Sequence, residues 1–149
     1  MKIVLQKVHA LIFVVVTLVM TSTLVFGLLS ASTTISNTGN VKAVGVGVYW
    51  DSGCSQEVSL IEWGYLDPGE TSSVTVYVRN EGNVAVALNM STENWDPPEA
   101  SSYITLSWDY SGQILEPGES IQVTLTLSIS SDVQNITEFD FSIVIAVVG

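Results

Sequence analysis

The sequence predicts an all-β fold, a two-layer antiparallel sandwich of seven or eight strands, preceded by one N-terminal apolar helix. Three observations predict it. After Leu29, run after run places apolar residues at every second position, the period of a half-buried strand. No amphipathic helical period of useful length occurs in the same stretch. Clusters of Asn, Gly, Asp and Pro separate the runs, as turns do. Seven or eight short strands in roughly 115 residues fill two packed antiparallel layers.

The first element lies before the sandwich. Lys2, Lys7 and His9 form a short basic stretch. The apolar run Ala10–Leu29 follows, broken only by Thr17, Thr21, Ser22, Thr23 and Gly27, with no charge for 20 residues. A helix of that length spans about 30 Å, the hydrocarbon thickness of a bilayer. Basic residues precede the run and none follows until Lys42, which orients the N-terminus to the cytoplasm and the rest outside. Ser30-Ala31-Ser32 offers small residues for a signal-peptide cleavage. The length of the run suits a retained anchor. Residues 1–32 therefore read as signal peptide or signal anchor, 33–40 as a polar linker, and 41–149 as the sandwich.

Each strand then follows in order. Val44, Val46, Val48 and Trp50 share one face, with Gly45 and Gly47 on the other, where a neighbouring backbone could come close. Val58–Trp63 is a shorter strand. Val74, Val76 and Val78 alternate with Thr75, Tyr77 and Arg79. Asn80-Glu81-Gly82-Asn83 reads as a turn, and Val84, Val86, Leu88 and Met90 continue on one face, so the two runs read as a hairpin. Trp95-Asp96-Pro97-Pro98 is a loop, since paired prolines fit neither a helix interior nor a central strand. Ile104, Leu106 and Trp108 form the next set, then Val123, Leu125, Leu127 and Ile129, then Phe139, Phe141, Ile143, Ile145 and Val147. Ile143–Val148 is apolar on both faces. Such a strand is either central or an edge that another subunit covers.

One internal echo has a physical meaning. Leu66-Asp67-Pro68-Gly69-Glu70-Thr71 and Leu115-Glu116-Pro117-Gly118-Glu119-Ser120 align without gaps at an offset of 49, each just before an alternating strand. Pro fixes φ at the first central position and Gly supplies positive φ at the second, a type II turn. Trp50-Asp51 and Trp108-Asp109 form a weaker echo. Two uses of one turn idiom, or a duplication, would give this pattern.

The Pro-Gly-Glu-(Ser/Thr) idiom, its Val/Leu–Thr strand and the Asn-Glu-Gly-Asn turn together resemble bacterial and archaeal cell-surface domains of the immunoglobulin-like class. Adhesion-related modules of archaeal surface proteins are among them. The resemblance covers about Val41–Ser130 and implies an immunoglobulin-like sandwich that binds or builds without catalysis. It carries no functional residues over. This chain departs from the commoner pattern in having one such domain and no array.

Charge and composition bound the chemistry. From Thr33 onward Lys42 and Arg79 stand against all 15 acidic residues, a net charge of −13. That sign disfavours nucleic acid and anionic lipid heads as partners. The sole histidine, His9, lies in the leader, so the exported domain has no Ser-His-Asp or Cys-His site and lacks the usual zinc and copper ligands. The reading is that this is not an enzyme. Cys54 is the one cysteine, so no intramolecular disulfide forms. It reads as a semi-buried turn residue, or as half of an intermolecular bridge.

Several residues are candidates for binding or modification. Asn89-Met90-Ser91 and Asn135-Ile136-Thr137 fit the N-glycosylation pattern, which makes Asn89 and Asn135 candidate acceptors. Asp51, Asp67, Glu70, Asp96, Glu99, Asp109 and Glu116 fall in or near loops, where carboxylates can hold calcium. They form no spaced motif, and no cofactor is expected. Trp50 and Trp108 fall in register with core residues, whereas Trp95, in its proline-bound loop, is the candidate for exposure and for stacking on a sugar ring. The expectation is a non-catalytic cell-surface protein, structural or adhesive, in contact with the membrane through residues 10–29 or released outside the cell. The alternatives are a filament subunit joined by strand exchange, and a glycan- or calcium-binding module.

Overall fold

The computed structural model describes residues 35–148. Among them the elements are β1 Ile35–Val44, β2 Val46–Tyr49, β3 Leu60–Leu66, β4 Thr71–Asn80, β5 Ala87–Asp96, a 3-10 turn Pro98–Ser102, β6 Ile104–Trp108, β7 Ser120–Ile129 and β8 Glu138–Val148. They form two four-stranded sheets, the first in the order β3-β1-β8-β5 and the second in the order β2-β4-β7-β6. The anchor or signal segment, residues 10–29, lies outside the described residues. No helix among the described residues is long and apolar enough to cross a membrane.

The core is the inward face of both sheets, as the period-2 pattern requires. Phe141, Ile143 and Ile145 of β8 and Ile61 of β3 meet Val48, Val76, Val78, Val123, Leu125 and Leu127 of the second sheet, all fully buried. Burying each such side chain contributes about 1.5–3 kcal/mol, which suits a domain with no disulfide. Cys54 is a free, partly buried thiol in a turn, with φ +52°.

Five expectations are corrected. Residues 35–40, read as linker, form the first half of β1, with Ile35 in the core. Inward positions there are Asn37 and Gly39, so no apolar alternation marks the strand. The sandwich is not wholly antiparallel, because β1 runs parallel to β8 while every other pairing is antiparallel. A parallel pair needs a long crossover, and nearly the whole domain lies between these two strands. The run through Val44–Trp50 is not one strand. Gly45, at φ +78°, breaks it and sends the chain from the first sheet to the second. Gly47 is approached by a side chain, not a backbone: a Cβ there would lie 2.5 Å from the Tyr49 ring. Finally, β4 and β5 are not a hairpin, for β4 pairs with β2 and β7 while β5 pairs with β8. Asn80–Asn83 is the corner where the chain changes sheets. Buried Asn80 organises it, its Nδ2 donating to Val84 O (2.7 Å) and Leu115 O (3.0 Å) while its Oδ1 accepts from Gly82 N–H (2.9 Å).

The last strand is central. β8 is hydrogen-bonded to β1 on one side and β5 on the other, so neither of its edges is open, while its outward Val144 and Ala146 are half-buried and Val148 is exposed.

The two Pro-Gly turns take the expected form. Gly69 and Gly118 have φ of +86° and +80°, and Glu70 N–H and Glu119 N–H bond back to Asp67 O (3.0 Å) and Glu116 O (2.9 Å). Each also docks on the far end of the other turn's strand. Gly69 N–H donates to Ile129 O at 3.1 Å, and Gly118 N–H to Asn80 O at 2.9 Å. The second sheet thus has an internal two-fold relation. Advancing β4 by 49 positions carries it onto β7, and the pair Thr71–Ser128 onto Ser120–Arg79. Advancing β2 by 58 carries Val46–Asn80 onto Ile104–Ile129, and Trp50-Asp51 onto Trp108-Asp109.

Candidate functional site

The two outer faces differ in charge. The strands of the first sheet carry Glu62, Glu93, Asp96, Glu138 and Asp140. Lys42 reaches across β8 to Glu93, at 2.8 Å, in the one ion pair among the described residues. The strands of the second sheet contain no acidic residue at all, and Arg79 is their only charge. On a domain of −13 that is a marked segregation.

Register arranges the outer face of the second sheet in rows. Ser107, Thr126 and Ser73 form one row across β6, β7 and β4, and the Ser73 and Thr126 hydroxyls are 2.9 Å apart. Gln122, Tyr77 and Tyr49 form another across β7, β4 and β2, with Tyr77 Oη donating to Gln122 Oε1 at 3.2 Å. Arg79 stands in the next row between Ser120 and Gly47. The half-buried Tyr49 ring lies over Gly47, and its hydroxyl donates to the Glu81 carboxylate at the rim of the face. That carboxylate acceptor holds the Tyr49 phenol protonated and raises its pKa. A cavity of about 360 Å³ beside it is lined by Arg79, Asn80, Glu81, Gly82 and Gly118. Sequence reasoning did not group Tyr49, Tyr77, Arg79 and Gln122 as one site. Their alternation put them on an outer face, but only the β2–β4–β7 register brings them together.

The residues singled out from sequence lie elsewhere. Asn89 is exposed on β5, and Asn135 is exposed between β7 and β8 with φ +61°. Trp95 is not the exposed ring its loop suggested. A register shift between Glu93 and Asp96 turns it inward, and its ring lies flat on Phe141 with centroids 4.3 Å apart and planes 5° from parallel. Trp50, read as core, is 39% exposed at the end of β2, while Trp108 is half-buried and packs on Tyr110 at 5.0 Å.

Of the candidate loop carboxylates, Asp51, Glu70 and Asp109 hold local backbone, while Asp67 Oδ1 is buried without a partner among the described residues. Asp51 Oδ1 accepts from Ser55 N–H (3.0 Å) and Gln56 N–H (2.8 Å), which keeps the carboxyl charged and lowers its pKa. Asp109 accepts from Thr124 N–H at 2.7 Å. Glu70 and Glu119 each accept the backbone N–H three residues back, Asp67 and Glu116. A second cavity, about 350 Å³, gathers Asp96, Glu138 and Asp140 at one end of the first sheet. No three carboxylate, thiol or imidazole groups among the described residues converge as metal ligands would.

Sheet edges are the other place where a sandwich meets partners, and here they are short or occupied. Backbone of Gln56 and Val58 bonds to the free side of β2. Val86 and Leu115 exchange two hydrogen bonds, and Tyr110 Oη accepts from Leu88 N–H (3.0 Å), which closes the upper edge of β5. The register shift before Asp96 ends the lower part. β6 offers five residues, and β3 is kinked at Gly64, φ +79°.

No protein-family model matches this chain, and no curated protein matches it. Among solved structures it is similar to the ASH/PapD-like domain of human CEP192 (PapD-like domain 7), at 12% identity over 83% of this chain and 94% of that one, with a TM-score of 0.34.

Proposed function

We propose that this chain is an exported, non-catalytic cell-surface module of the immunoglobulin-like class that works by contact. Residues 10–29 hold it in the membrane, or cleavage after Ser32 releases it. The observation that carries the reading is the charge-free run of 20 residues, with basic residues only on its N-terminal side, ahead of a compact β-sandwich. A domain without histidine, in which the Asp51, Glu70, Asp109 and Glu119 carboxylates are engaged by neighbouring backbone, supports the absence of catalysis. Both sequon asparagines are exposed, which suits glycosylation at Asn89 and Asn135 on the outer side of a membrane.

Intact mass of the native protein from fractionated cells tests the proposal. Full-length mass in the membrane fraction, with the sandwich cut by protease added to whole cells, supports the anchored form. A mass lacking about 32 residues outside the cell supports the released form. Full-length protein in the cytosolic fraction, protected from external protease, refutes export.

A further inference from the structure

We propose that the outer face of the second sheet is a saccharide-binding surface, and that it selects a sugar bearing one isolated carboxylate, recognised by Arg79. The inference goes beyond export and holds whether the domain is tethered or released.

Arg79 and Lys42 are the only cations after residue 33, and Lys42 is spent on Glu93. Arg79 makes no ion pair among the described residues. It is half-exposed near the end of β4, beside Ser120 of β7 and Gly47 of β2, on strands that carry no acid; Glu81 and Glu119 lie just beyond the strand ends. An anionic group can approach this domain favourably at that point. A guanidinium offers a planar fork that matches a carboxylate with two parallel hydrogen bonds.

The surroundings select what carries that carboxylate. Tyr49 and Tyr77 pair across β2 and β4 one row away, and both rings are half-buried. Rings held that way offer apolar area at little entropic cost and suit the C–H faces of a sugar. Gln122 and the Ser and Thr rows present amide and hydroxyl groups that can both donate and accept, as sugar hydroxyls require. Glu81 at the rim, already accepting from Tyr49, adds a carboxylate acceptor and excludes a second anion nearby. The domain as a whole, at −13, repels a dense polyanion. One carboxylate on an otherwise neutral saccharide satisfies every part of this face.

The test titrates the full chain, in a detergent without sugar head groups, with a glucuronosyl-glucose disaccharide and with its uncharged glucosyl-glucose counterpart. Ligand-observed NMR reads binding at millimolar concentration. The acidic disaccharide is expected to bind at least about tenfold more tightly, a difference of about 1.4 kcal/mol. Arg79→Gln should bring it down to the uncharged level, Arg79→Lys should retain part of the preference, and Lys42→Gln should change nothing. Equal binding of the two sugars, an unaltered preference in Arg79→Gln, or no binding of either would overturn the proposal. Equal competition by acetate would overturn the saccharide part, since the face would then read only a carboxylate.

Discussion

Asn80 offers the sharpest test of how the sheets are joined. Its side chain is fully buried and makes three hydrogen bonds, to Val84 O, Leu115 O and Gly82 N–H. Each is worth about 1 kcal/mol net, and a buried group left unpaired costs more. Leu115 O keeps a second donor in Val86 N–H, and Gly82 and Val84 are exposed enough to recruit water. Asn80→Ala should therefore cost about 2–3 kcal/mol, or roughly 10 °C in Tm for a domain of this size. Asn80→Asp should be worse at neutral pH. Its second oxygen would face two carbonyls with no proton between them, in a site that penalises charge. The introduced carboxyl must then have a raised pKa in the folded state. Protonated, it regains one donor, so the gap between the Asp and Ala variants should shrink as pH falls below neutrality and widen as pH rises. Urea melts from pH 4 to 8 measure this. An Ala variant within about 1 kcal/mol of the parent, or an Asp variant as stable as Ala at pH 7, would refute the corner as described.

Three further outcomes follow from the geometry. Gly69→Ala and Gly118→Ala each force a Cβ into a left-handed conformation, costing about 1–2 kcal/mol. Because the two turns are related by the two-fold, their melts should shift alike, and a large disparity would count against the equivalence. Asp51 has a lowered pKa, so its hydrogen bonds stabilise the fold above the ordinary carboxylate value and are lost as pH falls through the folded-state pKa. Acid titration followed by tryptophan fluorescence should show Asp51→Asn flattening the low-pH decline, and identical acid limbs would contradict it. Trp95→Ala removes a ring stacked on Phe141 and should cost about 2–4 kcal/mol in chemical denaturation. A loss below about 0.5 kcal/mol would mean the ring is a free surface group.

The period-2 pattern located seven of the eight strands because alternation records which face a residue occupies. It does not record which strand lies alongside. That is why β4 and β5 read as a hairpin, although Asn80 carries the chain across to the other sheet. β1 was hidden for a different reason. Its inward positions after Ile35 are Asn37 and Gly39, where a Cβ would sit tightly, 3.1 Å from Ile143 Cδ1 and 3.2 Å from Trp63 Nε1. Trp95 was misplaced because the prolines marked a loop from Trp95 onward, whereas β5 runs on through Asp96 and a bulge after Glu93 turns the ring inward. The candidate face needed register above all. Tyr49, Tyr77 and Gln122 come from three strands spread over more than 70 residues of chain, and no local pattern joins them.

The repeated Pro-Gly-Glu idiom links that register to the face. A type II turn alone would only begin a strand. Here each turn's glycine N–H also bonds to the last residue of the partner strand, Gly69 to Ile129 and Gly118 to Asn80. Carbonyls of Glu70 and Glu119 return the contact by accepting from Ile129 N–H and Asn80 N–H, both at 2.9 Å. The β4–β7 pair is therefore pinned at both ends by one device used twice. A slip of one residue would break both docks at once, and it would turn Thr124 and Thr126 into the core and Val123 and Leu125 into solvent. With slippage closed off, the hydroxyl rows, the tyrosine pair and Arg79 hold fixed positions on a sheet rather than on mobile loops. A site built on strands keeps its geometry in the absence of ligand, which lowers the entropic cost of binding. The same two-fold does not extend to the contents of the rows. It places Tyr77 over Thr126 and Tyr49 over Ser107, so the rings stand at one end of the sheet and hydroxyls at the other. The scaffold is symmetric and the chemistry on it is not, which is what a single asymmetric site on this face requires.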